Sequence, residues 1–183
     1  MNLFQTALAG ALLLPSIVVS NASAESYGAL RAGFNDANAS VFGGSVSFDQ
    51  GSSYEGAVGF DLGHLRIEAS ASRDNAELGL VGIDATLTNY SATALADFNG
   101  PFGLTYFAGA GVDYTRAEAN LGFITAEGEG DGWHYDLGVS KDISDRFTIE
   151  VRRRAYEGQV DFGFGSDIDV ENTAWTAGVR VSL

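Results

Sequence analysis

Ala174-Trp-Thr-Ala-Gly-Val-Arg-Val-Ser-Leu183 closes the chain, and its reading decides the fold. Trp175, Ala177, Val179, Val181 and Leu183 are apolar; Thr176, Gly178, Arg180 and Ser182 between them are small, polar or charged. A period of two puts these sets on opposite faces of a β-strand. One face is uniformly apolar, and the other holds an arginine among small residues.

The same alternation recurs upstream. Strands are expected over 26–34, 53–62, 65–72, 87–98, 103–116, 132–141 and 147–156, making eight with the last. Their connections alternate long and short. Residues 35–52, 73–86, 117–131 and 158–171 read as long loops, rich in Gly, Asn, Ser and acids. Gly63-His64, Asn99-Gly100-Pro101 and Asp142 to Arg146 read as tight turns. Short turns on one side and long loops on the other, joined by strands of about ten residues, suit a transmembrane β-barrel. A bilayer admits only helices or closed barrels, because every backbone amide needs a partner. After residue 24 no segment has the length and hydropathy of a membrane helix. The expected fold class is all-β, an eight-stranded antiparallel transmembrane barrel behind a cleaved signal peptide.

The leader itself is read from Phe4 to Val19, an apolar run too short and Ala-rich for a spanning helix and interrupted by Pro15. Ala22-Ser23-Ala24 follows, a small-x-small site for signal peptidase. Residues 1–24 are therefore assigned to a signal peptide and 25–183 to the barrel domain, although the leader carries no Lys or Arg before its apolar core.

Composition narrows the function. The chain of 183 residues has no cysteine, which excludes a disulfide framework, thiol catalysis and a lipid-modified cysteine. A net charge of −14 argues against nucleic acid, whose phosphates would repel the chain. The 24 glycines sit inside alternating segments, where they permit close approach in a small barrel.

The inward positions hold Arg31, Glu55, Asp61, Arg66, Glu68, Asp97, Asp113, Asp136, Lys141, Glu150, Arg152, Arg154 and Arg180. Eight strands enclose an interior that side chains fill, so these charges must pair. A lumen network of Arg31, Glu55, Arg66, Glu68, Glu150, Arg152, Arg154 and Arg180 is expected. It reads either as a structural plug or as a gated polar path for small ions. Arg153 breaks the apolar face and is expected near the outer rim, where its side chain snorkels to water. Tyr54, Tyr90, Tyr114, Trp133 and Trp175 fall at the loop ends of strands, as membrane-interface aromatics should. Phe98, Phe102 and Phe147 fall at the turn ends.

Acids cluster in the expected loops, and Glu127, Glu129, Asp131, Asp167, Asp169 and Glu171 are candidates for weak cation contacts. Asp167 to Glu171 lacks the glycine and spacing of a calcium loop, so no dedicated metal site is expected. His134 shares a face with Asp136 and Ser140, but Ser140 lies about 20 Å away at strand rise, too far for proton transfer. No catalytic residues and no cofactor are assigned, and the Gly-x-Gly runs open no helix that could hold a phosphate.

Phe107-Ala-Gly-Ala-Gly-Val-Asp-Tyr114 and the run from Gly138 to Arg154 resemble the small OmpA-like and opacity-protein-like barrels of Gram-negative outer membranes. The resemblance implies residence in the outer membrane among lipids and lipopolysaccharide. It also implies delivery by the outer-membrane assembly machinery, which reads the C-terminal strand. Leu183 stands where that family usually ends in an aromatic, and no peptidoglycan-binding domain follows. Three functions are compatible with these readings. The first is a structural or adhesive surface role toward host or neighbouring-cell molecules. The second is a narrow porin-like channel. The third is a soluble secreted sandwich or lipocalin-like binder, disfavoured because the apolar face lacks scattered Lys and Glu.

Overall fold

The computed structural model describes residues 24–41, 44–78, 83–120, 125–163 and 167–183, so the expected leader lies outside the described residues. The strands are β1 (Glu25–Val41), β2 (Gly44–Ser47), β3 (Asp49–Asp61), β4 (Leu65–Leu78), β5 (Ile83–Asn99), β6 (Leu104–Asn120), β7 (Thr125–Asp142), β8 (Phe147–Asp161) and β9 (Asp167–Ser182). Each pairs antiparallel with its neighbour, and β9 returns to β1, closing the sheet. β2 is the outward continuation of β3. β1 pairs Asn35 with Gly51 but Asn38 with Ser47, a slip of one residue that marks a β-bulge around Phe48. The wall is thus an eight-stranded closed antiparallel barrel.

Closure fixes the tilt. Stepping across rungs from Tyr27 through Gly59, Glu68, Thr93, Gly111, His134, Tyr156 and Asn172 returns to β1 at Ala37, ten residues from the start. With eight strands, a stagger of ten tilts each strand about 40° from the barrel axis. The connections described at one end are tight. Asp61 accepts from the Gly63 amide at 2.8 Å, with Gly63 at φ +95°. Ser144 accepts from the Phe147 amide at 3.2 Å.

At the other end the structure corrects the long loops. Most of 35–52, 73–86, 117–131 and 158–171 is paired strand that extends the barrel beyond the aromatic level. The physical reason is a change of polarity without a change of phase. From Leu65 to Arg73 and its counterparts, apolar side chains such as Leu30, Val58, Leu137 and Ile149 point outward and charged ones point in. Farther out, Ala37, Ala117, Val160 and Val170 point in and are buried, with Leu87, Phe162 and Ile168 packed on them. The outward positions there are exposed acids: Glu118, Glu127, Glu129, Asp131, Glu157, Asp161, Asp167, Asp169 and Glu171. The lower barrel is built for a surrounding of lipid and the upper barrel for water. Both obey the same alternation.

Candidate functional site

The inward side chains of the lower barrel form layers. Nearest the tight turns, Arg66 grips Asp97 with two parallel bonds of 2.7 and 2.8 Å. Arg180 stands apart from the central network, 3.5 Å from Asp61 and over the Tyr27 ring. That is a correction to its expected place, because β9 carries it toward the mouth at the turn end, where Asp61 ends β3.

In the next layer Arg31 bonds Glu55, Glu68 and Glu150, the Glu68 contact being 2.7 Å. Arg152 bonds Glu68 at 2.8 Å and Asp136 at 3.2 Å. Arg154 bonds Asp136 at 2.8 and 2.9 Å and pairs with Glu55 at 2.8 Å. Tyr27 donates to Glu68 at 3.1 Å. These groups are almost fully enclosed, and burial is tolerable because each charge meets several of opposite sign. The Phe107 ring lies between two of the guanidiniums, 4.8 Å from Arg66 and 5.5 Å from Arg152. It fits because β7 offers Gly138 there; a Cβ at that position would meet the ring edge at 2.2 Å.

Above this layer Asp113 and His134 Nδ1 lie 2.5 Å apart, and His134 Nε2 lies 2.9 Å from the Thr93 hydroxyl. The partner of His134 is thus Asp113 on the adjacent strand. Asp136 Oδ2 is farther from Nε2, at 3.9 Å, and Ser140 instead reaches the Thr105 carbonyl. The acid–imidazole–hydroxyl line is sealed inside the wall, with His134 at 0 % and Thr93 at 2 % exposure. Lys141, read as inward, lies exposed on the outer face, because it shares the parity of Trp133, Leu137 and Val139.

On the outside, Tyr54, Tyr90, Trp133 and Trp175 are exposed, and Tyr114 is half-exposed and stacked on Tyr90 at 6.5 Å. Phe98 and Tyr90 lie eight residues apart on β5, about 20 Å along the axis after tilt, and bound the apolar band. Arg153 sits in register with Trp175 and holds its guanidinium over the Tyr135 ring. The acids Glu127, Glu129, Asp131, Asp167, Asp169 and Glu171 lie on strands, not in loops. Register sets like charges directly opposite: Glu118 and Glu127, Glu129 and Asp161, Glu157 and Glu171, Asp161 and Asp167. Arg116, 3.2 Å from Glu129, is an outward base among them, and Arg73 stands exposed on the same rung. Among the described residues no group of His, Cys, Asp and Glu is arranged to hold a metal ion.

Sequence reasoning sets Tyr27, Asn89 and Tyr156 on the inward face without assigning them a partner, and it did not find Phe107, Asn35, Thr115 or Asn172 as parts of the lumen. The parity of each was readable, but aromatics and amides carry no sign that demands a partner.

A model of the outer membrane protein β-barrel domain matches residues 9–182. The chain belongs to that family. It is an outer-membrane barrel of the Gram-negative type. Among solved structures, Neisserial surface protein A is similar at 23 % identity and TM-score 0.68, over 86 % of this chain and 97 % of that one. The outer membrane protein OprG of Pseudomonas aeruginosa is similar at 12 % identity and TM-score 0.53, over 86 % and 95 %. These likenesses show the fold. No curated protein matches the chain.

Proposed function

We propose that this outer-membrane barrel is a closed surface protein that acts through the acidic outer face of its strand extension. The observation that carries the reading is the switch of polarity above the aromatic band. A barrel that only needed to end there would not continue as paired strands with an apolar interior and carboxylates outside. Opposed like charges destabilise a sheet, so the pattern costs stability and favours a cationic partner that relieves it. Basic segments on host or neighbouring-cell surfaces have the right chemistry, as do divalent cations bridging to lipopolysaccharide phosphates. The exposed Tyr and Trp ring serves as the lipid interface, and β9 as the strand read by the assembly machinery. In this reading the Arg–carboxylate network braces the wall and blocks the lumen.

A second reading, a narrow ion path, is favoured by one observation. Arg66 Nη1 and Glu150 Oε2 are both buried without hydrogen-bond partners, 3.8 Å apart, so this part of the network could exchange partners.

The surface role is tested with the folded protein in phosphatidylcholine vesicles and a fluorescent lysine-rich peptide. Saturable binding is expected, weakened by salt and by the combined substitutions Glu157→Gln, Asp161→Asn, Asp167→Asn and Glu171→Gln. Equal binding to wild type, variant and bare vesicles would overturn it.

A further inference from the structure

Above His134 a layer of amide, hydroxyl and carboxyl hydrogen bonds crosses the lumen, drawing on β1, β4, β5, β6, β8 and β9. Asn35 donates to Asn172 at 3.4 Å, and Asn172 donates to the Asp74 carboxylate at 3.0 Å. Asn89 donates to the same carboxylate at 3.2 Å. Thr115 lies 2.7 Å from the Asn89 carbonyl oxygen and 2.9 Å from the Tyr156 hydroxyl. The apolar group of Ala117, Val160 and Val170 lies over this layer.

Two atoms of the layer are out of balance. Asp74 Oδ1 and Asn35 Oδ1 are both buried acceptors with no donor, in residues 4 % and 0 % exposed. Both belong to groups held by the one Asn172 amide, so they lie in one cluster. Asp74 is also, among the described residues, a lumen carboxylate without an arginine salt bridge. Arg31, Arg66, Arg152 and Arg154 serve Glu55, Glu68, Glu150, Asp97 and Asp136, and Arg180 serves Asp61, while Asp113 is hydrogen-bonded to His134. A buried carboxylate with an idle oxygen is costly, and an idle amide oxygen beside it adds to the cost. A proton on Asp74 Oδ1 turns that idle acceptor into a donor within the cluster.

We propose that Asp74 is an acid-operated latch on the outer mouth: protonated, it donates from Oδ1 to Asn35 Oδ1 and ties β4 to β1, and on ionisation that tie is lost. The proton comes from and returns to water, and no other bond changes. The proposal requires the closed barrel but not the surface role proposed above.

The groups facing Asp74 agree with this assignment. Ser53 hydrogen-bonds it and Glu55 faces it from β3, Asn89 and Asn172 donate to it from β5 and β9, and Arg154 faces it from β8, with Asp113 and His134 nearer the turn end on β6 and β7. Arg154 is already committed to Asp136 and Glu55. Asp74 lies one residue beyond Arg73, whose rung partner Tyr54 belongs to the outer aromatic ring, so it stands in the extension above the spanning segment. Burial pushes its carboxyl up from 3.8 to about 6; Glu55 adds to the rise, while Ser53, Arg154 and Asn172 oppose it. A folded-state value above the unfolded one gives stability that is fully present below the unfolded value, near 4, and is lost as pH rises through 6.

The test is urea unfolding of the full folded chain in phosphatidylcholine vesicles from pH 4 to 8, wild type beside Asp74→Asn. The asparagine Nδ2 supplies the donor at every pH. Relative to the variant, the folded-to-unfolded ratio of the wild type should fall roughly a hundredfold across that range. The difference between the two proteins isolates Asp74 from His64 and His134. In parallel, the ¹³C resonance of the Asp74 carboxyl in the micelle-bound wild type should titrate near 6. Parallel pH profiles for the two proteins would overturn the proposal. So would a carboxyl that titrates near 4, and that readout stands even if the variant does not fold.

Discussion

Replacing Arg31 by methionine probes the lumen where its charges are most densely linked. One guanidinium there serves three carboxylates on three strands, Glu55 on β3, Glu68 on β4 and Glu150 on β8. Methionine fills similar volume but donates nothing. Glu68 keeps Arg152 at 2.8 Å and Tyr27 at 3.1 Å, and Glu55 keeps Arg154 at 2.8 Å. Glu150 is left worst off, with Arg66 and Arg152 each 3.8 Å away. Breaking a buried pair by removing one partner costs about 3–5 kcal/mol, because the survivor stays charged in a dry site. Arg31→Met should lose that much in urea unfolding from lipid vesicles. The companion Arg31→Met/Glu150→Gln, which removes the stranded charge, should recover at least about 1 kcal/mol of it. A single variant within about 1 kcal/mol of wild type would refute the reasoning, as would a double variant less stable than the single, since either shows that the network does not hold the wall.

Three further outcomes follow from the same geometry. Gly138→Ala sets a Cβ 2.2 Å from the Phe107 ring and 2.5 Å from the Val151 carbonyl, so it should cost about 1–3 kcal/mol in urea unfolding. Glu171→Gln relieves the opposed Glu157 and should raise stability by roughly 0.2–1 kcal/mol at low salt, with the gain shrinking in high salt. Val160→Asn puts an amide into the apolar group of the upper barrel, where Val160 is fully enclosed; hydrogen exchange of β8 and β9 above Tyr156 should speed up while the lower strands stay protected.

The lower barrel was legible because two signals agreed there. Alternation gave the strand, and the sign of each inward charge demanded a partner, as with Arg31 and Glu55. The upper barrel was hidden by a habit of reading Gly, Asn and acids as loop. Yet Glu127, Glu129 and Asp131, like Asp167, Asp169 and Glu171, recur every second residue, which is the same strand period with acids in the outward seats. Lys141 was misplaced by ignoring its parity with Val139. Two things lay beyond the linear chain. The pairing of His134 with Asp113 depends on register between strands, and the amide layer under Val160 joins Asn35 to Asn172 across 137 residues. No local pattern announces either.

The filled lumen is the centre of the account, since the surface role follows only if the barrel is closed. The measurement that tests it most directly is conductance of the folded protein in a planar lipid bilayer, in symmetric salt. Closed layers from Arg66 to Val160 predict a flat baseline at moderate voltage for protein whose folding is verified by its heat-dependent gel mobility. Reproducible unitary current steps, abolished by heating before insertion, would contradict it and establish the ion path instead.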